Sequence, residues 1–211
     1  MITIIGCNKG GAAKTTTAIN LAIGLALRNE DVCIVDADVQ RSASRWCAER
    51  EQAGLTPMIT LIEKRDNISQ TLKSLDQKYD HVIVDVAGRN SRELITGGTV
   101  AHQIIAPHQC SQLDLDTLIE LQQQLESMRD LNPDLKAYCY QSMATTNPVL
   151  RGNERAEFLD FVKEFEGLIP LRAIACYRKV YRDVMPDGKS VLEASNENAK
   201  SEVLALLDEV F

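Results

Sequence analysis

Ile2-Thr3-Ile4-Ile5-Gly6-Cys7-Asn8-Lys9-Gly10-Gly11-Ala12-Ala13-Lys14-Thr15-Thr16 decides the fold of this chain. A β-prone run ends in a glycine-containing loop. A strongly apolar run (Ala18, Ile19, Leu21, Ala22, Ile23, Leu25, Ala26, Leu27) follows at once, as a helix packed on a sheet would need. Strand, loop and helix in that order are the setting of a phosphate-binding loop. Backbone N–H groups from Gly10, Gly11, Ala12, Ala13, Lys14, Thr15 and Thr16, with the positive end of the helix dipole, would nest β- and γ-phosphate oxygens. Lys14 would add a point charge there, and the Thr15 hydroxyl suits Mg²⁺. The expected ligand is therefore ATP with Mg²⁺. The strict pattern G-x-x-x-x-G-K-[ST] fails twice, at Asn8 and at Ala13. No G-x-G-x-x-G occurs, which excludes a dinucleotide-binding loop.

Two acidic motifs follow at strand ends, where ligands bind in open α/β sheets. Val32-Cys33-Ile34-Val35-Asp36-Ala37-Asp38-Val39-Gln40 places two carboxylates just past a second strand. His81-Val82-Ile83-Val84-Asp85-Val86-Ala87-Gly88 closes a β-prone run on an acid, the form of a Walker B motif whose Asp holds Mg²⁺. Either alone is also what a turn-capping Asp looks like. Both in order behind a phosphate loop point to one site.

Short apolar runs alternate with helix-period segments along the rest of the chain. Strands are expected at Ile2–Gly6, Val32–Asp36, Met58–Ile62, His81–Val86, Gln103–Pro107, Lys136–Met143 and Ile169–Ala175. Helices are expected near 15–28, 40–53, 67–78, 91–101, 111–130, 153–165 and 195–210, the last capped by Ser195. Such alternation implies one doubly wound, mostly parallel sheet flanked by helices, spanning residues 1–211 as a single domain.

Composition agrees with a globular chain: 211 residues, 45% hydrophobic and 25% charged. Aromatics are only 5%, so Ile, Val, Leu and Ala must build the core. No apolar run reaches the ~20 residues of a membrane span, and the N-terminus lacks the features of a signal peptide. A cytoplasmic location is expected. The six cysteines have no C-x-x-C spacing and are expected as free thiols, and the three histidines lack ligand-spaced partners. The net charge of −7 leaves a local basic patch possible.

Lys9-Gly10-Gly11-x-x-Lys14-Thr15, Asp36-x-Asp38-x-Gln40 and the Asp85 strand together resemble the ParA/MinD group of P-loop NTPases, whose Walker A loop is called deviant. Tyr177-Arg178-Lys179-Val180-Tyr181 and Gly188-Lys189-Ser190-Val191-Leu192-Glu193 are similar to the end of small, plasmid-type ParA proteins. The resemblance implies roles. Lys9 matches the signature lysine that reaches the partner's phosphates in an ATP-sandwich homodimer, in the manner of an arginine finger. Asp38 matches the residue that positions the attacking water, so Lys9, Lys14 and Asp38 form the implied catalytic set. Thr15, Asp36 and Asp85 are the implied Mg²⁺ residues. The family's purine site lies after the sixth strand, which points to Thr146 and Asn147, although Gln141 stands where Asn is common. Glycine is usual at position 13. If that position needs φ > 0, Ala13 costs about 1 kcal/mol in the left-handed region.

The implied activity is slow ATP hydrolysis that drives DNA partition. Such proteins dimerise on ATP, bind nonspecific DNA on the nucleoid and are stimulated by a ParB-like centromere-binding protein. The expected DNA surface is Arg172, Arg178, Lys179, Arg182 and Lys189, whose plain alternative is a solvated face. The chain opens on its first strand, without the N-terminal helix-turn-helix of longer ParA proteins, so operator-specific repression is not expected. Membrane positioning of the MinD kind is disfavoured by the acidic end, Asp208-Glu209. An iron-sulfur reductase would need paired cysteines after the Walker B strand. A metabolic ligase on the same fold and a relative that positions protein cargo are the remaining alternatives.

Overall fold

The computed structural model describes residues 1–88, 91–110 and 115–211. Seven strands form one sheet: β1 (Ile2–Ile5), β2 (Val32–Asp36), β3 (Thr60–Glu63), β4 (His81–Asp85), β5 (Gln103–His108), β6 (Lys136–Ala144) and β7 (Ile169–Cys176). Their order is β3-β2-β4-β1-β5-β6-β7, and every pairing is parallel. Parallel strands need crossover connections, and the helix-period segments supply them. These are α1 (Lys14–Leu27), α2 (Ser42–Gln52), α3 (Ser69–Asp76), α4 (Arg92–Gly98), α5 (Leu115–Arg129), α6 (Pro148–Val162), α7 (Lys179–Asp183) and α8 (Glu197–Val210).

The helices divide between two faces. Ile19, Ile23, Trp46, Val203 and Leu207 from α1, α2 and α8 pack with Ile5, Ile34 and Ile83 on one side. Leu72, Leu94, Leu121 and Phe158 from α3 to α6 pack with Ile4, Val35, Val84 and Ile104 on the other. With both faces covered, the inner strands read as continuous apolar runs, and β1 and β2 are buried at every residue.

Register fixes the site. Asp36 on β2 stands level with Asp85 on β4, and Asp85 stands level with Ile5 on β1. The phosphate loop, which leaves β1, therefore rises beside both acids. β1 lies where the chain changes direction across the sheet, between β4 and β5.

Some boundaries differ from the expected ones. β3 begins at Thr60 rather than Met58, because pairing with β2 sets its register (Cys33 with Thr60, Asp36 with Glu63) and none of its residues is fully buried. α6 begins at Pro148, five residues early, since the Asn147 side chain caps it and proline suits a first turn. Asn196, not Ser195, caps α8, accepting the Ala199 N–H at 3.0 Å. Residues 111–114 of the expected fifth helix lie outside the described residues. α7 and the two short 3₁₀ turns at Met185–Asp187 and Val191–Glu193 were not among the expected elements.

Candidate functional site

α1 starts without a side-chain cap and without an acid in its first turn. Its leading N–H groups are therefore left to a ligand, as a phosphate site requires. Gly11 takes φ 74° and Ala13 takes φ 67°, ψ 29°. The condition attached to Ala13 is met, and its methyl group sits in the left-handed region at a cost of about 1 kcal/mol. The Ser142 hydroxyl donates to the Ala12 carbonyl at 3.1 Å and ties the loop to β6. Lys14 is buried, and its Nζ donates to the Lys9 carbonyl at 2.7 Å. A Cβ at Gly88 would stand 2.9 Å from both that Nζ and that carbonyl, so only glycine lets the β4 loop approach. An open cavity of about 590 Å³ lies over the loop, lined also by Asp38, Val39, Gln40 and Met143.

The acids differ sharply. Asp36 is fully buried and well held. Its Oδ1 accepts the Asp38 N–H at 3.2 Å, and its Oδ2 accepts the Ser44 N–H at 2.8 Å and the Ser44 hydroxyl at 2.7 Å. Asp85 is equally buried, yet among the described residues neither oxygen has a hydrogen-bond partner of good geometry. Burial pushes its pKa up to about 7; the nearby Thr15 hydroxyl offsets part of this, the Asp36 and Asp38 charges add to it, and Lys14 opposes it. Asp38 is half-buried and accepts the Gln40 N–H at 2.8 Å, while Arg65 donates to its carbonyl at 3.0 Å.

These residues fit a magnesium nucleotide. An orphaned, buried carboxylate beside a threonine hydroxyl and a second carboxylate suits a hard cation. Among the described residues no group of three or more His, Cys, Asp or Glu side chains forms a metal cage. Mg²⁺ bound through one or two carboxylates, water and substrate phosphates needs none.

A second cavity of about 480 Å³ adjoins the first at Ala13, Thr16 and Met143. Its walls are mainly apolar and include Leu21, Tyr140, Ala175, Tyr177, Met185 and Pro186. It has the size and lining of a nucleoside pocket. Thr146 and Asn147, the sequence candidates for base contact, line neither cavity. Asn147 is instead engaged as a helix cap, accepting from the Val149 and Leu150 N–H groups at 3.0 and 3.3 Å. Gln141 is buried and accepts from Arg155. The pocket residues Ser142 and Met143 end β6, within the Gln141 to Pro148 stretch that the resemblance indicates, and those from Cys176 to Pro186, of which the sequence offers Arg178, Lys179 and Arg182 for DNA alone, end or follow β7. The strand-end rule that located Asp36 and Asp85 would have found them.

Residues 2–137 match the profile of the CobQ/CobB/MinD/ParA nucleotide binding domain. The chain belongs to this family. It is 27% identical over 205 residues to the maintenance of carboxysome distribution protein A of Halothiobacillus neapolitanus, covering 96% of this chain and 92% of that one. It is 41% identical over 113 residues to the protein of the same name from Gloeobacter kilaueensis, covering 53% of this chain and half of that relative's length. A plasmid partition protein from Borrelia burgdorferi, solved with AMPPNP, superposes with a TM-score of 0.75 at 18% identity, over 99% of this chain and 97% of that one. The chain is a ParA/MinD-type ATPase, and ATP is its nucleotide.

In this ParA/MinD-type ATPase the five basic residues expected on one DNA surface are not equivalent. Arg178 is half-buried and bound to Glu202 by Nε at 2.8 Å and by a terminal nitrogen at 2.8 Å. It is wall and ion pair, not a free phosphate contact. That partner lies 24 residues downstream, which no local charge count reveals. Arg172 pairs with Glu209 at 3.3 Å, and Lys179 pairs with Asp183 at 3.3 Å. Lys189 is half-buried, its carbonyl accepting from the Trp46 indole N–H. Lys179 and Arg182 are the exposed cations of α7. No helix among the described residues is long and apolar enough to cross a membrane.

Proposed function

We propose that this chain is a ParA-type positioning ATPase that pairs with a second copy on ATP, attaches in that form to nonspecific DNA, and is released by a cargo-bound partner. The observation that carries this reading is the loop with two lysines. Lys14 lies buried beneath the loop, while Gly10 and Gly11 are exposed on the rim next to Lys9. One cation is enough to serve the chain's own phosphates. A second, half-buried beside the exposed Gly10 and Gly11, suits a partner's, where it acts in trans as an arginine finger does.

In this assignment the residues Gly10 to Thr16 hold the phosphates, and Thr15, Asp36 and Asp85 hold Mg²⁺, which neutralises charge on the transferred phosphoryl group. Asp38 orients the attacking water. The base lies in the apolar cavity against Met143 and Tyr177, and Lys179 and Arg182 meet DNA phosphates. Cargo is chosen by the partner. The relatives named for carboxysome distribution favour a protein assembly, and the partition relatives favour a replicon. Lys9→Ala should bind one ATP but form no ATP-dependent dimer, whereas Lys14→Ala should lose ATP binding by about a hundredfold or more. Light scattering with ATP and Mg²⁺ decides. A stable dimer of the Lys9 variant would overturn the sandwich.

A further inference from the structure

Ser44 lies on the first turn of α2 and lines neither the phosphate nor the nucleoside cavity. Its backbone N–H and its hydroxyl both donate to Asp36 Oδ2, at 2.8 and 2.7 Å. The other oxygen of the same carboxylate accepts the backbone N–H of Asp38 at 3.2 Å. Three donors therefore hold the Asp36 carboxylate at the start of the segment that carries Asp38, and the Ser44 hydroxyl is the side-chain member of the three.

The base on which Ser44 stands is rigid. Trp46, half a turn on, donates its indole N–H to the Lys189 carbonyl at 3.1 Å. Arg50 is fully buried and donates to the Pro57 carbonyl at 2.8 Å, the Gly188 carbonyl at 2.9 Å and both Glu193 oxygens at 3.0 Å. Gly188 lets its loop approach α2: at φ 66°, a Cβ there would stand 2.3 Å from the Arg50 backbone nitrogen. A bidentate, buried arginine holds its helix in one geometry. α2 is thus anchored at its far end and presents a fixed hydroxyl at its near end.

We infer that Ser44 is the positioning residue for Asp36, and that its hydroxyl sets how tightly the site takes Mg²⁺ with the nucleotide. A ligand to a metal works best when a second group fixes its orientation. Mg²⁺ tolerates little departure from octahedral geometry, so a carboxylate left with two backbone donors and no hydroxyl loses affinity. The inference rests on the assignment of Asp36 to Mg²⁺.

The test titrates Mg²⁺ against a fluorescent ATP analogue bound to the whole chain, with melting temperature as a check on folding. Ser44→Ala should raise the Mg²⁺ concentration for half-maximal nucleotide binding about tenfold, the loss of one hydrogen bond to a charged group. Affinity for the analogue in EDTA should stay as in the wild type. Ser44→Thr, which keeps the hydroxyl, should return the Mg²⁺ midpoint to within about twofold of the wild type, a difference worth less than one such bond. An unchanged midpoint in the alanine variant overturns the inference, and so does an equal loss of affinity in EDTA and in Mg²⁺. A threonine variant that melts like the wild type but keeps the shifted midpoint overturns it too. If nucleotide binding by the wild type is indifferent to Mg²⁺, the assignment of Asp36 itself has failed, which is a separate result.

Discussion

Asp36 and Asp85 stand level on neighbouring parallel strands, both fully buried, yet Asp36 accepts hydrogen bonds from Ser44 and Asp38 while Asp85 accepts none of good geometry from the described residues. The asymmetry separates a carboxylate held for structure as well as chemistry from one that burial penalises unless a cation is present. It also yields a stability measurement.

Asp85→Asn removes the penalised charge. The Asp85 pKa is raised, to about 7 from an ordinary carboxylate value, so the folded state holds its proton more tightly than the unfolded chain does. Stability is then whole below about pH 4 and falls as pH rises through 7. The variant should melt about 10 °C or more above the wild type at pH 8 without nucleotide or Mg²⁺, and at the same temperature near pH 4. It should also lose the extra stability that Mg²⁺ with ATP gives the wild type. Calorimetry across pH checks both; equal melting temperatures at pH 8 would show that the charge is not penalised.

Asp38→Ala should bind ATP and dimerise while hydrolysing about a hundredfold more slowly, the size expected for a lost water-orienting carboxylate. The Asp36–Asp38 backbone bond uses the main chain and survives the change. Single-turnover hydrolysis beside an ATP-binding titration separates the two effects. A parallel loss of binding would return Asp38 to a structural role.

Ala13→Gly relieves a methyl group at φ 67°. The relief, about 1 kcal/mol, is partly cancelled by the greater freedom of glycine in the unfolded chain. Because the strain belongs to the folded loop, a rise of about 2 °C in melting temperature is expected. ATP affinity should move by less than about threefold, well under 1 kcal/mol. A lower melting temperature would show that the loop bears no strain at this residue.

DNA binding should depend on Lys179 and Arg182 and not on Arg178. Two phosphate contacts from each protomer make about four in a dimer, a slope of about −3.5 in log K against log salt. Affinity should fall about a hundredfold between 50 and 200 mM salt, whatever the sequence. Lys179→Ala with Arg182→Ala should flatten the slope and spare ATP-driven dimerisation. Arg178→Ala should lower the melting temperature instead, because it leaves the half-buried Glu202 carboxylate with the Cys176 N–H and the Tyr181 hydroxyl but without its opposite charge. Polarisation titrations on random duplex with ATP and with ADP give the answer; no ATP-dependent binding at 50 mM salt would remove DNA from the reading.

The phosphate loop, the acids at strand ends and the alternation of strand and helix were legible because each is a local pattern with a local cause. β3 was misplaced by two residues because an edge strand with no buried residue takes its register from β2, not from its own hydrophobicity. The start of α6 is readable in Asn147-Pro148, a cap followed by a first-turn proline, and the structure engages in that cap the Asn147 that the resemblance offers for base contact. The pairing of Arg178 with Glu202 and the bonds from Ser44 to Asp36 lay beyond any local rule, since they depend on how α8 and α2 seat against the sheet.

The sheet order carries a consequence for synthesis. β1 and its loop come first in the chain, yet β1 lies between β4 and β5, whose partners for it span residues 82–85 and 103–105. At about 5–20 residues per second, the new loop waits several seconds on the ribosome before a strand exists to support it. ATP has nothing to grip until then. The part of the sequence that is easiest to recognise thus waits for about half of the chain before it becomes a working surface. A nascent chain stalled before residue 81 should expose Ile2, Ile4 and Ile5, buried in the finished protein, to whatever chaperone meets it.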